Sequence, residues 1–323
     1  MAAAKHPPAI LLMGPTASGK TAVALELARA LPVEVVSVDS ALVYKDMNIG
    51  TAKPDRATLE AFPHHLVDVI EPHESYSAAR FRDDALAIMR EIDERGHIPL
   101  LVGGTMLYFK ALVEGLNELP EADPMIRLVI DTMAEEGGPG AVYRRLKEVD
   151  PQTAVRLNPG DTQRIQRALE IYLITGKTMA ELLAKPRYVY FPYTPIKIAL
   201  VPEDRAVLHE RIERRFEQML GDGLLDEVAR LRDEYGLDSS LPSMRCVGYR
   251  QALQFLNGDI DREELLAQGV AATRQLAKRQ LTWLRAMTDV KFFGSNSGDL
   301  AQQVLDYVRR ELERQNGSPL SRG

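Results

Sequence analysis

The sequence predicts an α/β fold: a parallel sheet covered by helices, with an all-helical insertion in the chain. Two observations carry the core. Short apolar runs at Ile10–Met13, Val33–Val38, His65–Ile70 and Ile98–Val102 alternate with helical patterns such as Ala78–Arg95, which ends at Gly96, and such alternation favours a parallel sheet buried on both faces. A further run, Ile196–Val201, returns to the pattern much later. A third observation carries the insertion. From Asp123 to Leu183 there are helix signals at Ala141–Glu148, Asp161–Thr175 and Thr178–Leu183, separated by Gly137-Gly138-Pro139-Gly140 and Asn158-Pro159-Gly160, with almost no β-branched runs.

The first apolar run leads into Gly14-Pro15-Thr16-Ala17-Ser18-Gly19-Lys20-Thr21, a complete G-x-x-x-x-G-K-T phosphate loop. A helical run, Ala22–Leu31, leaves it and is stopped by Pro32. Backbone N–H groups at a helix N-terminus cradle oxyanions, and Lys20 adds a full positive charge. The loop makes the core P-loop NTPase-like and predicts binding of a di- or triphosphate. The expected organisation is a core at 1–120 and 190–313 with C-terminal helices, an insertion at 121–189 whose return is marked by Pro186, Pro192 and Pro195, and a disordered tail from Arg314 on. The segments Glu203–Glu234 and Ile260–Met287 are charged and helical.

Composition sets the outer limits. The chain has 323 residues, 45% of them hydrophobic, enough for one large or two smaller cores. A net charge of −6 is ordinary for a cytosolic enzyme and does not by itself point to nucleic acid. The one cysteine, Cys246, excludes an internal disulfide and a cysteine-built zinc site. No apolar run has membrane-spanning length, and Met1–Pro8 is too short and polar for a signal peptide. Cytoplasmic residence follows, with no membrane and no protein partner implied. No self-complementary seam is visible, so a monomer is expected.

Two further strand ends carry candidate chemistry. Val35-Val36-Ser37-Val38 delivers Asp39 to the sheet edge that holds the loop, where open α/β sheets bind ligands. Asp39 fits a general base, a metal contact or a solvated strand-end acid. Ile98–Val102 ends in Gly103-Gly104-Thr105; glycines allow close backbone approach to a ligand, and Thr105 supplies a hydroxyl or caps the next helix. The sequence contains no guanine-selecting Asn-Lys-x-Asp motif and no G-x-G-x-x-G fingerprint, and its histidines form no metal cluster. His64 and His65 fit a surface turn.

Three segments suggest a polyanion. Arg274, Lys278 and Arg285 fall within about 40° of one another on a helix, and Trp283 lies in the same stretch. Gln163-Arg164-Ile165-Gln166-Arg167 opens an insertion helix, and Arg245-Cys246-Val247-Gly248-Tyr249-Arg250 is doubly basic and aromatic. Such patches on an acidic chain suit contacts to phosphate backbone, and equally suit solvated helix faces.

In order along the chain, the phosphate loop, Val38-Asp39-Ser40-Ala41-Leu42-Val43-Tyr44, Ile49-Gly50-Thr51-Ala52-Lys53-Pro54, Val102–Tyr108, Asp123-Pro124-Met125-Ile126-Arg127, Arg164–Glu170, Arg245–Arg250 and Thr273–Gln280 resemble the bacterial tRNA dimethylallyltransferase family. Leu42 departs from the Gln that many members carry there. The resemblance implies transfer of a dimethylallyl group from dimethylallyl diphosphate to N6 of the adenosine on the 3′ side of the tRNA anticodon, position 37. It implies that Gly14–Thr21 (Gly14, Pro15, Thr16, Ala17, Ser18, Gly19, Lys20, Thr21) and Arg215 hold the diphosphate, with Mg²⁺ on Thr21, rather than serving ATP hydrolysis. Asp39, Thr105 and Lys20 then carry catalysis. Asp39, Ser40, Ala41 and Leu42 would contact the extruded base. Arg127, the Gln163–Arg167 and Arg245–Arg250 segments, and Lys278, Arg279, Gln280, Leu281, Thr282, Trp283, Leu284 and Arg285 would contact the anticodon stem-loop. Arg211, one turn from Arg215, is a further phosphate candidate. The competing reading is a small-molecule kinase or an isopentenyltransferase of free adenylates, which would need neither the insertion nor the basic stripe.

Overall fold

The structure, a computed structural model, describes residues 6–138, 140–185 and 189–317. The chain divides into two compact units, one made of the chain up to Leu112 and again from Pro192, the other of Val113–Phe191.

The larger unit is built on six strands in the order β3-β2-β4-β1-β5-β6, every pair parallel. Its first half runs β1 (Pro8–Met13), α1 (Lys20–Ala30), β2 (Val33–Val38), α2 (Arg56–Ala61), β3 (His64–His65), α3 (Ala78–Glu94), β4 (Ile98–Gly103) and α4 (Met106–Glu114). The second unit holds α5 (Pro124–Gly137), α6 (Ala141–Val149), α7 (Pro151–Arg156), α8 (Thr162–Thr175) and α9 (Met179–Ala184). The larger unit resumes with β5 (Thr194–Val201), α10 (Arg205–Gly221), α11 (Leu224–Tyr235), α12 (Tyr249–Leu256), α13 (Arg262–Arg285), β6 (Lys291–Gly294) and α14 (Leu300–Asn316).

The central strands are near-continuous apolar runs because both faces are covered. On one face Ile10, Leu12, Val35, Leu100, Ile198 and Leu200 pack with Val23 and Leu27 of α1 and Val304 and Val308 of α14. A second core joins Val43, Tyr44, Met47 and Ile70 to Ile212, Phe216, Val228, Tyr249 and Leu281 from α10–α13. The insertion has its own core of Ile130, Leu146, Ala154, Ile165, Ala168 and Leu169. Four of its helices start on side-chain caps, Asp123 with Pro124 in the first turn of α5, Asp150 at α7, Asp161 at α8 and a Thr178–Glu181 capping box at α9, while α6 starts at the left-handed Gly140.

Several expectations need correction. His65–Ile70 is not a strand: β3 ends at His65, because Leu66 and Asp68 take left-handed φ values of 60° and 55°, and only Ile70 bridges to Tyr44. The Glu203–Glu234 segment breaks at Asp222-Gly223, where Gly223 has φ 100°. The chain does not lose order at Arg314: α14 carries it to Asn316, and the left-handed stop falls at Gly317, φ 79°. Strand β6 and helices α2, α5, α7, α12 and α14 are additions to the elements expected from the sequence. Pro139, Pro186 and residues 318–323 lie outside the described residues. Among the described residues no helix is long and apolar enough to cross a membrane.

At the start of β2, the nearly buried Glu34 accepts from Arg95 at 2.8 and 2.9 Å and meets His65 at 2.7 Å and His97 at 2.9 Å. The two histidines that fit a surface turn thus divide: His65 joins this cluster, and His64 contacts the Phe62 carbonyl. The Arg95 hydrogen bond, with help from His65 and His97 and against burial, holds the Glu34 carboxyl at about 2. A depressed carboxylate stabilises the fold above its ordinary value of 4.5 and loses that contribution as pH falls toward 2. Urea unfolding of wild type and Glu34→Gln should therefore differ at about pH 6, with the gap closing progressively below about pH 4.5.

Candidate active site

In a parallel sheet all strand C-termini share one edge. Here β2, β4 and β1 are neighbours, so Asp39, Thr105 and the phosphate loop emerge side by side. The register Val38↔Gly103 and Met13↔Gly103 aligns the three ends.

The loop gains its curvature from Ala17 (φ 61°) and Gly19 (φ 85°), which turn successive N–H groups inward as an anion nest. Gly14 is required by crowding: a Cβ there would lie 2.6 Å from Ser18 Oγ and 2.9 Å from the Leu200 carbonyl. Ser18 Oγ is itself buried without a partner among the described residues. Lys20 Nζ donates to the Pro15 carbonyl at 2.7 Å. Burial pushes the Lys20 ammonium down to about 8; Asp39 opposes this and Arg215 reinforces it. The Arg215 guanidinium is likewise lowered by burial and raised by Asp39. Burial, with Asp39 adding, pushes the Cys246 thiol up to about 12 and raises the Tyr108 phenol. Asp39 is thus the negative centre of a partly enclosed cluster holding two cations.

Asp39 Oδ1 accepts from Ala41 N at 2.8 Å, which fixes the carboxylate over its own turn. Thr105 Oγ1 accepts from Ser40 N at 3.1 Å and lies 3.4 Å from Ser40 Oγ. The Thr105 hydroxyl is therefore aimed at the Asp39-Ser40 turn, while its carbonyl starts α4 by accepting from Tyr108 N. Beyond that turn Ser40 is exposed, Ala41 and Leu42 are half-buried, and the Leu42 carbonyl accepts from Asp68 N at 3.1 Å. The fold brings Lys20, Asp39, Thr105 and Arg215 together at one strand-end edge.

The two glycines before Thr105 have an internal explanation, contrary to the expected approach of a ligand. A Cβ on Gly103 would meet the Val38 carbonyl at 2.0 Å, and one on Gly104 would meet Gln280 Nε2 at 2.3 Å. The segment after Asp39 is also held from within. Glu227, nearly buried on α11, accepts from Asn48 N at 3.0 Å, Ile49 N at 2.8 Å, Gly50 N at 3.3 Å and the Tyr249 hydroxyl at 2.5 Å. Lys53 donates to the Tyr44 carbonyl at 3.0 Å and pairs with Asp68. A groove of about 670 Å³ runs from this segment to Arg215, Gln218 and Asp222. A second, of about 580 Å³, flanks the outer side of the phosphate loop and is lined by Arg29, Arg211 and Ser295. Arg211 donates to the Ser295 carbonyl at 3.3 Å.

The expected RNA-contacting residues sort by exposure. Lys278, Arg279, Thr282, Trp283 and Arg285 lie on the exposed face of α13, with Lys110 Nζ 5.6 Å from the Trp283 ring centre. Leu281 and Leu284 do not belong with them: both are buried, because the apolar face of α13 fills the core. Gln280 also turns inward. Arg274 is matched by Glu213 of α10 at 2.7 Å, so the stripe is not free of acid. Arg245 and Arg250 are exposed and Cys246 and Val247 half-buried, but Gly248 and Tyr249 are buried and the Tyr249 hydroxyl is engaged by Glu227. In the insertion Gln163 and Arg164 are exposed, Ile165 is core, and Gln166 donates to Asp131 at 2.7 Å. Arg127 and Arg167 converge on the fully buried Glu170 at 2.9 and 2.5 Å.

A lysine whose charge is already costly to bury grips an anion only while protonated. Affinity for pyrophosphate should fall about tenfold between about pH 7 and 9 in wild type, as Lys20 titrates. In Lys20→Met, calorimetry should give weaker binding and little of that pH dependence.

Known proteins resemble this chain along most of its length. The family model for IPP transferase matches residues 42–287. A tRNA dimethylallyltransferase of Nitrosospira multiformis is 57% identical over 94% of both chains. One from Azoarcus sp. is 59% identical over 95% of this chain and 97% of its own. The crystal structure of the tRNA isopentenylpyrophosphate transferase of Bacillus halodurans matches with TM-score 0.71 and 35% identity over 97% of this chain and 98% of that one. A eukaryotic dimethylallyltransferase acting on tRNA matches with TM-score 0.78 and 26% identity over 98% of this chain and 81% of that one. With most of its length matched at that level, the chain belongs to the IPP transferase family.

Proposed function

We propose that this enzyme transfers a dimethylallyl group from dimethylallyl diphosphate to N6 of the adenosine next to the tRNA anticodon, at position 37, in the cytoplasm. The observation that carries the reading is a carboxylate, Asp39, on the same strand-end edge as the phosphate loop, where its charge offsets the burial of Lys20 and Arg215. A phosphate loop alone suits any nucleotide enzyme. An acid beside the cradle suits a reaction that removes a proton as a diphosphate departs.

The donor's diphosphate sits in the Gly14–Thr21 loop, on those loop N–H groups not already engaged, with Lys20 and Arg215. The adenine leaves the anticodon stack, as base-modifying enzymes require. Its N6 attacks the allylic carbon. The carbon–oxygen bond breaks, its electron pair leaves with the diphosphate, and Asp39 takes the N6 proton. Negative charge grows on the leaving group, where Lys20, Arg215 and the loop amides face it; such preorganised donors are worth most in a dry site. Thr105, fixed by Ser40 N, orients Asp39's turn and the incoming base. The Thr21 hydroxyl, exposed in the first turn of α1, would be a Mg²⁺ ligand, an oxygen donor of the kind that ion prefers. Bound there, the ion would neutralise the departing charge.

Lys278, Arg279, Trp283 and Arg285 on α13, and Arg245 and Arg250 before and on α12, present an exposed, mainly cationic surface for RNA phosphates. In the insertion, Arg164 does so directly and Arg127 through the guanidinium edge left over from Glu170, whereas Arg167 is also engaged by the Pro120 carbonyl. The free-adenylate reading gains nothing from these surfaces.

Asp39→Ala should lower prenylated RNA by about 10²- to 10⁴-fold while stem-loop RNA still binds. The assay supplies dimethylallyl diphosphate with either anticodon stem-loop RNA or AMP and follows pyrophosphate release and adenine N6 mass; modification of AMP alone would defeat the tRNA assignment. Separately, Lys278→Ala and Arg285→Ala should each reduce the salt slope of RNA affinity by about one unit. An unchanged slope would make the α13 face merely solvated.

A further inference from the structure

We infer that Gln280 is a positioning residue that holds the phosphate loop and the Thr105 turn in register, rather than a contact to RNA. The inference rests on the prenyl-transfer reading of the site and adds a residue to it.

The side-chain amide of Gln280 spans two loops. Its Oε1 accepts from Thr16 N at 2.9 Å and its Nε2 donates to the Gly104 carbonyl at 2.9 Å. Thr16 N can only donate and the Gly104 carbonyl can only accept, so one orientation of the amide satisfies both, and its flipped form would oppose donor to donor and acceptor to acceptor. Thr16 is the third residue of the diphosphate cradle. Gly104 immediately precedes Thr105, whose hydroxyl meets the Asp39-Ser40 turn. One planar group therefore links the cradle to the turn that positions the acid. Gly104 is the other half of the device, since a Cβ there would sit 2.3 Å from Gln280 Nε2 and expel the amide.

The placement of Gln280 on α13 explains why a residue between exposed cations points inward. Arg279 and Thr282 face solvent, while Ala277, Leu281 and Leu284 are buried. Gln280 sits at the border of the two faces, part-buried, and its length reaches the loops. The helix that offers Lys278 and Arg279 to solvent thus braces the leaving-group site with its inner edge. A displacement of about 1 Å between reacting groups costs on the order of a hundredfold in rate, so a clamp at this point matters more to turnover than to binding of RNA.

Gln280→Met keeps the length and removes both hydrogen bonds without adding charge. Its affinity for magnesium pyrophosphate, measured without RNA, should fall about five- to tenfold. With RNA and donor, kcat should drop about ten- to hundredfold and donor KM rise, while the dissociation constant and salt slope of stem-loop RNA stay within about twofold. Gly104→Ala should reproduce this pattern, and the Gln280→Met/Gly104→Ala pair should be no worse than either alone, because both remove the same clamp. Loss of RNA affinity with normal pyrophosphate binding would make Gln280 an RNA contact and overturn the inference. So would donor parameters unchanged from wild type. A wild-type enzyme that does not use the allylic donor would instead defeat the prenyl-transfer reading, and the pyrophosphate measurement would still decide the role of Gln280 in the cradle.

Discussion

The adjacency of three parallel strand ends is the constraint on which the rest depends. Because β4 lies between β2 and β1, the Thr105 turn is flanked by Asp39 on one side and the phosphate loop on the other. No single loop could bring an acid, a hydroxyl and a lysine so close and keep them apart in the absence of a ligand. The sheet does so through backbone hydrogen bonds, which are insensitive to the charges displayed at its edge. The consequence is enclosed charge: Lys20 and Arg215 are both made less favourable as cations by burial, and Asp39 offsets this in part. A site that encloses two cations against one carboxylate is poised for a polyanion, which supplies the missing charge when it binds.

Around this edge buried polar groups fix the loops. Glu227 gathers three consecutive backbone N–H groups and a tyrosine hydroxyl, giving the Asn48–Gly50 turn a carboxylate in place of a strand neighbour. Tyr249 closes the arrangement, and Gly50 makes room for its ring, since a Cβ there would approach it to 2.4 Å. In the insertion Glu170 plays a similar part for Arg127, Arg167 and Asp123 N. Each is a carboxylate whose partners are supplied by the fold, the condition under which a buried charge is tolerated.

Local signals make much of this legible in sequence. The phosphate loop between an apolar run and a helix, Asp39 at the end of Val33–Val38, and the helical character of the insertion are all consequences of neighbouring residues, and the fold keeps them where the pattern sets them. What escapes depends on distant partners. Nothing near Gln280 in sequence reveals Thr16 or Gly104, 264 and 176 positions away. Gly103 and Gly104 read as room for a ligand and are instead room for Val38 and Gln280. Leu281, Leu284 and Ile165 fall within basic segments by adjacency alone, and helical periodicity turns them to the core. The His65–Ile70 run has strand composition, but left-handed residues at Leu66 and Asp68 end it.

The charge on this chain also bears on how RNA would be held. At −6 overall, long-range attraction to a polyanion is weak, and several arginines that composition would count toward binding are already matched: Arg274 by Glu213, Arg127 and Arg167 by Glu170, Arg95 by Glu34. Matched arginines still present hydrogen-bond donors in a fixed plane, but they release fewer counterions than free ones. Affinity built this way would rely on placed contacts more than on bulk charge. It would favour a folded RNA of defined shape over a single strand, because such a shape can meet the fixed donors together.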